Sequence, residues 1–84
     1  MPFEVIISKE AFKEIKALPE KIQTKIYDAI FLLSGNPYPT TSKKLQRVDA
    51  YRLRVGDYRI IYVIEKKILR IVVVRVNHRK DVYK

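Results

Sequence analysis

The sequence predicts an α+β fold: an N-terminal strand and an antiparallel two-helix hairpin packed on one face of a mainly antiparallel four-stranded sheet. Three observations predict it. Apolar residues recur at helical spacing from Phe12 to Leu33. From Tyr51 onward the period changes to two, as in "YRLRVGDYRIIYVI". With 84 residues the chain is sized for one domain, 1-84, burying about two thirds of its unfolded surface.

Each element has a local cause. "FEVIIS", Phe3 to Ser8, is short and rich in branched residues, which suits a first strand. Ser8 precedes "KEAFKEIKAL" and is placed to cap a helix running to about Leu18, with Phe12, Ile15 and Leu18 on one stripe. Pro19 and Glu20 open a second helix through about Leu33, whose inward positions are Ile22, Ile26, Ala29, Ile30 and Leu33. "SGNPYP" ends it, with a glycine for a left-handed cap and prolines that forbid continuation. "YPTTSKKLQRVDA" reads as a polar connection anchored by Leu45 and Val48. Tyr51 to Val55 and Tyr58 to Ile64 form a hairpin about Gly56-Asp57, and "ILRIVVVRV", Ile68 to Val76, is a third strand of the meander. Helices on one face leave the other open.

Composition excludes several functions. There is no cysteine, so neither a disulfide framework nor a thiolate metal site is available. One histidine and four scattered aspartates offer no zinc or magnesium cluster, and no cofactor is expected. "LLSGNP" lacks the glycine-rich run and Gly-Lys-Ser/Thr of a phosphate loop. Paired carboxylates and serine-centred triads are absent. No stretch approaches the roughly 18 apolar residues of a membrane span, and "MPFEVIISKE" is acidic where a signal peptide is basic, so the expected location is cytoplasmic.

Charge is more informative. Residues 1–42 hold five lysines and five acidic residues, whereas 43–84 hold thirteen basic and four acidic residues and carry the whole net charge of +9. Such asymmetry suits a surface that meets a polyanion or an acidic protein. Across a two-residue turn Arg54 faces Arg59 and Arg52 faces Ile61, so Arg52, Arg54 and Arg59 share one side of the sheet. Like charges so placed repel, and an anion offsets that because guanidinium forks fit phosphate oxygens. If the next loop centres near Lys66, Arg75 and Arg79 join the same side, and a one-residue slip sends Arg75 to the other. The tail "VNHRKDVYK" adds Asn77, His78, Arg79, Lys80 and Tyr83. His78 is the one side chain whose ordinary pKa lies near neutrality, and Tyr83 suits base stacking or pinning of the terminus. Arginines, a histidine and a tyrosine suffice for RNA transesterification, in which a ribose 2′-OH attacks the adjacent phosphate.

"KLQRVDAYRLRVGDYRIIYVI" and "ILRIVVVRVNHRKDVY" resemble the RelE/ParE superfamily, the toxins of type II toxin–antitoxin pairs, and they look more like its RelE branch than its gyrase-poisoning ParE branch. The resemblance spans nearly the whole chain and implies a RelE-like fold and a ribosome-dependent, metal-independent endonuclease that cuts mRNA in the A site. It implies that Arg52 and Arg54 flank the scissile phosphate, that Arg59 stabilises the transition state, and that Arg79 and Tyr83 complete the site. Lys43, Lys44, Arg47, Arg75 and Lys80 are expected to widen the surface that meets RNA and ribosome. RelE enzymes also carry lysines at the positions of Arg52 and Arg54; arginine hardly gives up a proton, so the resemblance leaves His78 as base or a rate drawn from orientation and electrostatics. Implied partners are an acidic RelB-like antitoxin, the ribosome and mRNA, with operator DNA reached only through the antitoxin complex and no membrane. A gyrase-directed toxin without RNase activity and a non-catalytic basic RNA-binding module remain as alternatives.

Overall fold

The computed structural model describes residues 2–46 and 49–78. The elements are β1 (Glu4–Ile7), α1 (Lys9–Lys16), α2 (Glu20–Leu33), β2 (Ser42–Lys44), β3 (Tyr51–Val55), β4 (Tyr58–Glu65) and β5 (Arg70–His78), with one 3-10 turn over Lys66–Ile68. The sheet order is β1-β5-β4-β3-β2. β1 runs parallel to β5, and every other neighbouring pair is antiparallel.

The α+β architecture is as expected, but the sheet has five strands instead of four. The addition is β2, which pairs Ser42 with Leu53, Lys43 with Arg52 and Lys44 with Tyr51. Its residues carry no apolar alternation. It is a strand because the free edge of β3 offers its backbone partners, and turn bonds from Ser42 to the Pro39 carbonyl and from Leu45 N to the Ala50 carbonyl fix both ends.

Ser8 acts at two levels: its Oγ accepts from Ala11 N, capping α1, and donates to the Val74 carbonyl, tying the helix start to β5. The α1 stripe is led by Ala11 and Ile15, whereas Phe12 is 46% exposed. From α2 come Ile26, Ile30 and Leu33. These meet Leu53, Ile60, Tyr62, Ile71, Val73 and Val76 in one core. Each fully buried Ile or Leu there contributes about 1.5–3 kcal/mol of transfer free energy. The end of α2 differs from expectation: Gly35 and Asn36 donate to the Leu32 carbonyl, and Gly35 does not take a left-handed conformation. Ile68 and Leu69 fall outside β5, with Leu69 at φ 51° turning the chain into it.

β5 contains an irregularity that decides where its charges go. Glu65 to Tyr62 pair with Arg70 to Val73 in order, and the register then shifts so that Ile61 meets Arg75 and Ile60 meets Val76. Val74 is the extra residue. Without the shift Arg75 would face Ile60 in the core; with it Val76 is buried and the guanidinium stays out. Burying an unpaired guanidinium would cost several kcal/mol, far more than the ladder bonds a bulge forfeits.

Candidate nucleic-acid interface

Period-two alternation sends Leu53, Ile60 and Tyr62 under the helices, so their sequence neighbours must face outward. Gly56, at φ 59°, leads the two-residue turn that sets the hairpin register. Arg54 then lies opposite Arg59, Arg52 opposite Ile61, and Lys43 of β2 opposite Arg52. The four cations come from three adjacent strands onto one face. With Thr40 and Thr41 they line a depression of about 200 Å³.

Electrostatics decides what such a depression is for. Two unit charges about 6 Å apart in water repel by about 0.7 kcal/mol, and each cation about 4 Å from a phosphate gains about 1 kcal/mol in water and several times that near a protein surface. An anion between Arg54 and Arg59 therefore reverses the sign of the local energy. The threonines add hydroxyls that hydrogen-bond phosphate or ribose. Sequence reasoning passed over them; their only signal is a position just ahead of Lys43.

The other expected site residues divide. Arg75 emerges on the same face as the arginines, but its guanidinium is held by Glu14 of α1 at 2.9 Å, which also keeps it charged to higher pH than usual. It does not line the depression. Glu14 also accepts from Val76 N at 2.7 Å, capping the edge of β5 beyond the end of β1. Arg70, likewise, is paired with Glu4 at 3.1 Å.

His78 requires a correction. It belongs to β5, pairs with Tyr58 and meets that ring edge-on at 5.2 Å. Tyr58, like Ile60, lies on the helix-covered face, so His78 stands on the opposite side of the sheet from Arg52 and Arg54 and is not placed to serve as their base. The alternation that sets Arg75 beside the arginines sets His78, three residues on, on the other side. Lys44 also faces away from the depression, paired with Tyr51 and 3.9 Å from Asp49. Arg47, Arg79, Lys80 and Tyr83 lie outside the described residues.

Among the described residues no group of three His, Cys, Asp or Glu side chains is gathered as a metal site would need. None of the helices described is long and apolar enough to cross a membrane.

Comparison with known proteins places this geometry in context. Residues 5–83 match the family model described as the ParE toxin of the type II toxin–antitoxin system. The toxin RelG of Mycobacterium tuberculosis is 31% identical over 87 residues, covering 100% of this chain and 99% of that protein. Among solved structures, the archaeal RelE–RelB complex of Pyrococcus horikoshii superposes with a TM-score of 0.86 at 29% identity, covering 96% of this chain and 99% of that one. The RelBE2 toxin–antitoxin complex of Mycobacterium tuberculosis gives 0.85 at 29% identity, covering 94% of this chain and 100% of that one.

Proposed function

Because this chain belongs to the RelE/ParE superfamily of type II toxin–antitoxin toxins, on its RelE-like branch, we propose that it cleaves mRNA on the ribosome by metal-independent transesterification. The observation that carries the reading is the Arg54–Arg59 pair across β3 and β4, extended by Arg52 and Lys43 into one cationic depression.

In the proposed reaction a ribose O2′ attacks the adjacent phosphorus in line, the P–O5′ bond breaks, and a 2′,3′-cyclic phosphate and a 5′-hydroxyl result. The 2′-OH proton leaves to a base, and O5′ takes up a proton as it departs. Arg52 and Arg54 hold the phosphate in the attack geometry, and Arg59 stabilises the charge that accumulates on its non-bridging oxygens. The arginines stay protonated at any physiological pH, so they contribute orientation and charge and no proton transfer. Arg79 and Tyr83 are assigned to the substrate nucleotide, Arg79 to its phosphate and Tyr83 to stacking. An antitoxin of RelB type is the proposed neutralising partner, supported by the RelE–RelB complexes that this chain resembles. Its acidic segments would compete with RNA for the same cations.

Toe-printing on translating ribosomes tests this reading. Cleavage is expected to persist in EDTA and to fall at least a hundredfold in Arg59→Ala and Arg54→Ala, the loss of one preorganised charge contact being worth about 10²–10³ in rate. Cleavage abolished by chelation, or untouched by both substitutions, contradicts it. The match to the ParE family model favours a second reading, a gyrase-directed toxin, and DNA breaks accumulating with intact mRNA would establish that one instead.

A further inference from the structure

A second constellation lies on the other face of the sheet, at the corner where β3 begins and β4 ends. The buried Tyr62 ring stacks on Tyr51 at 5.8 Å, and Tyr51 meets Tyr38 edge-on at 5.4 Å. The Tyr62 hydroxyl donates to the Pro37 carbonyl at 2.8 Å, so the innermost ring is fixed and the outer two are supported by it. Tyr38 at the end of this ladder is 42% exposed. Together with Lys44, Lys66, Lys67 and Asp49, Tyr38 and Tyr51 line a pocket of about 270 Å³. The Lys66 ammonium lies 5.6 Å from the Tyr38 ring centre.

We propose that this tyrosine–lysine corner is a subsite for single-stranded RNA, holding one base against Tyr38 and Tyr51 and the flanking phosphates against Lys44, Lys66 and Lys67. The proposal rests on the RNA-binding part of the reading above and extends it to a second position on the molecule.

Aromatic rings interleaved with lysines suit a nucleotide, because any base offers a π-face and each phosphate a charge. Asp49, 3.9 Å from the Lys44 ammonium, offers acceptors to base N–H groups or a ribose hydroxyl, donors that an ionised carboxylate side chain lacks. The two basic surfaces also draw on one strand. Consecutive residues of a strand point to opposite faces, so in the edge strand β2 Lys43 belongs to the arginine depression and Lys44 to the tyrosine corner.

The test is fluorescence anisotropy with the complete chain and a fluorescein-labelled 2′-O-methyl RNA dodecamer, which binds but lacks the nucleophile for cleavage. Tyr38→Leu is expected to weaken binding tenfold or more with an unchanged salt slope, while Tyr38→Phe retains the ring and the affinity. Lys66→Gln with Lys67→Gln is expected to flatten the log–log salt slope by about 1.4, at about 0.7 per lost contact. Circular dichroism melting confirms that each variant folds. Unchanged RNA affinity in the tyrosine and lysine variants overturns the proposal, as does a loss confined to binding of an acidic peptide, which would assign the corner to a protein partner. If the dodecamer shows the expected losses while ribosomal mRNA stays uncut, the subsite stands and the nuclease reading falls.

Discussion

Arg54 and Arg59 face each other across the β3–β4 ladder, a pairing of like charges that sheets disfavour. Directly opposed like charges cost a few tenths of a kcal/mol to about 1 kcal/mol, and Arg54, being exposed, has little burial to lose. Arg54→Thr, which keeps a strand-favouring residue, is therefore expected to raise the melting temperature by about 2–4 °C while abolishing growth arrest. A variant that melts lower would show that Arg54 supports the fold. Tyr62 is the opposite kind of residue, one whose polar atom is bound and whose ring is in the core. Burial pushes its phenol above the ordinary tyrosine value of about 10, against a smaller lowering by the Ser42 side chain. The folded protein then holds the phenolic proton more tightly than the unfolded chain does. Tyr62 thus contributes stability that is complete below about pH 10 and lost as pH rises through its folded pKa. Tyr62→Phe, which leaves the Pro37 carbonyl without its donor, is expected to cost about 1–2 kcal/mol at pH 7 and to show a shallower loss of stability above pH 10 in denaturant titrations.

The elements differ in how far they could be read in advance, and the differences have physical causes. The β3–β4 hairpin was legible because its side-chain period, its glycine turn and its register all follow from local chemistry, and these place Arg52, Arg54 and Arg59 on one face. β2 was not legible, because three polar residues become a strand only when a neighbouring edge supplies hydrogen-bond partners. The far end of β5 kept Arg75 on the expected side, but by a route that alternation does not show: the register near the turn is one residue off, and the extra residue Val74 restores it, so Arg75 faces out and His78 faces the helix side. Glu14 is what makes that end of β5 tolerable, since it caps Val76 N and holds the Arg75 guanidinium in one carboxylate. Glu14→Ala removes the acceptor of a part-buried backbone N–H and is expected to destabilise the protein by about 1–3 kcal/mol. Arg75→Ala, which loses an ion pair whose guanidinium is half exposed and leaves the Val76 N–H capped, is expected to cost about 1 kcal/mol or less. Chemical denaturation of both variants checks the ordering. Equal losses would assign the effect to the ion pair and not to the capped strand edge.

At the scale of the molecule the charge divides as the architecture does. The neutral first half builds the helical cover and β1, and the second half, with its net +9, builds most of the sheet. Part of that charge meets carboxylates, Arg70 on Glu4 and Arg75 on Glu14, and the depression gathers four other cations from β2, β3 and β4. A trinucleotide analogue short enough to occupy that depression alone discriminates binding there from attraction to overall charge. Its two internucleotide phosphates predict a log–log salt slope of about −1.4, so a threefold rise in salt should weaken binding about fivefold. Lys43→Gln is expected to reduce the slope by about 0.7. Lys21→Gln, on the exposed side of α2, removes an equal charge from the chain and is expected to leave slope and affinity unchanged, since exposed charges more than about 10 Å away are screened at 0.1 M salt. If both substitutions act alike, net charge and not the arrangement on β2, β3 and β4 draws RNA to this protein.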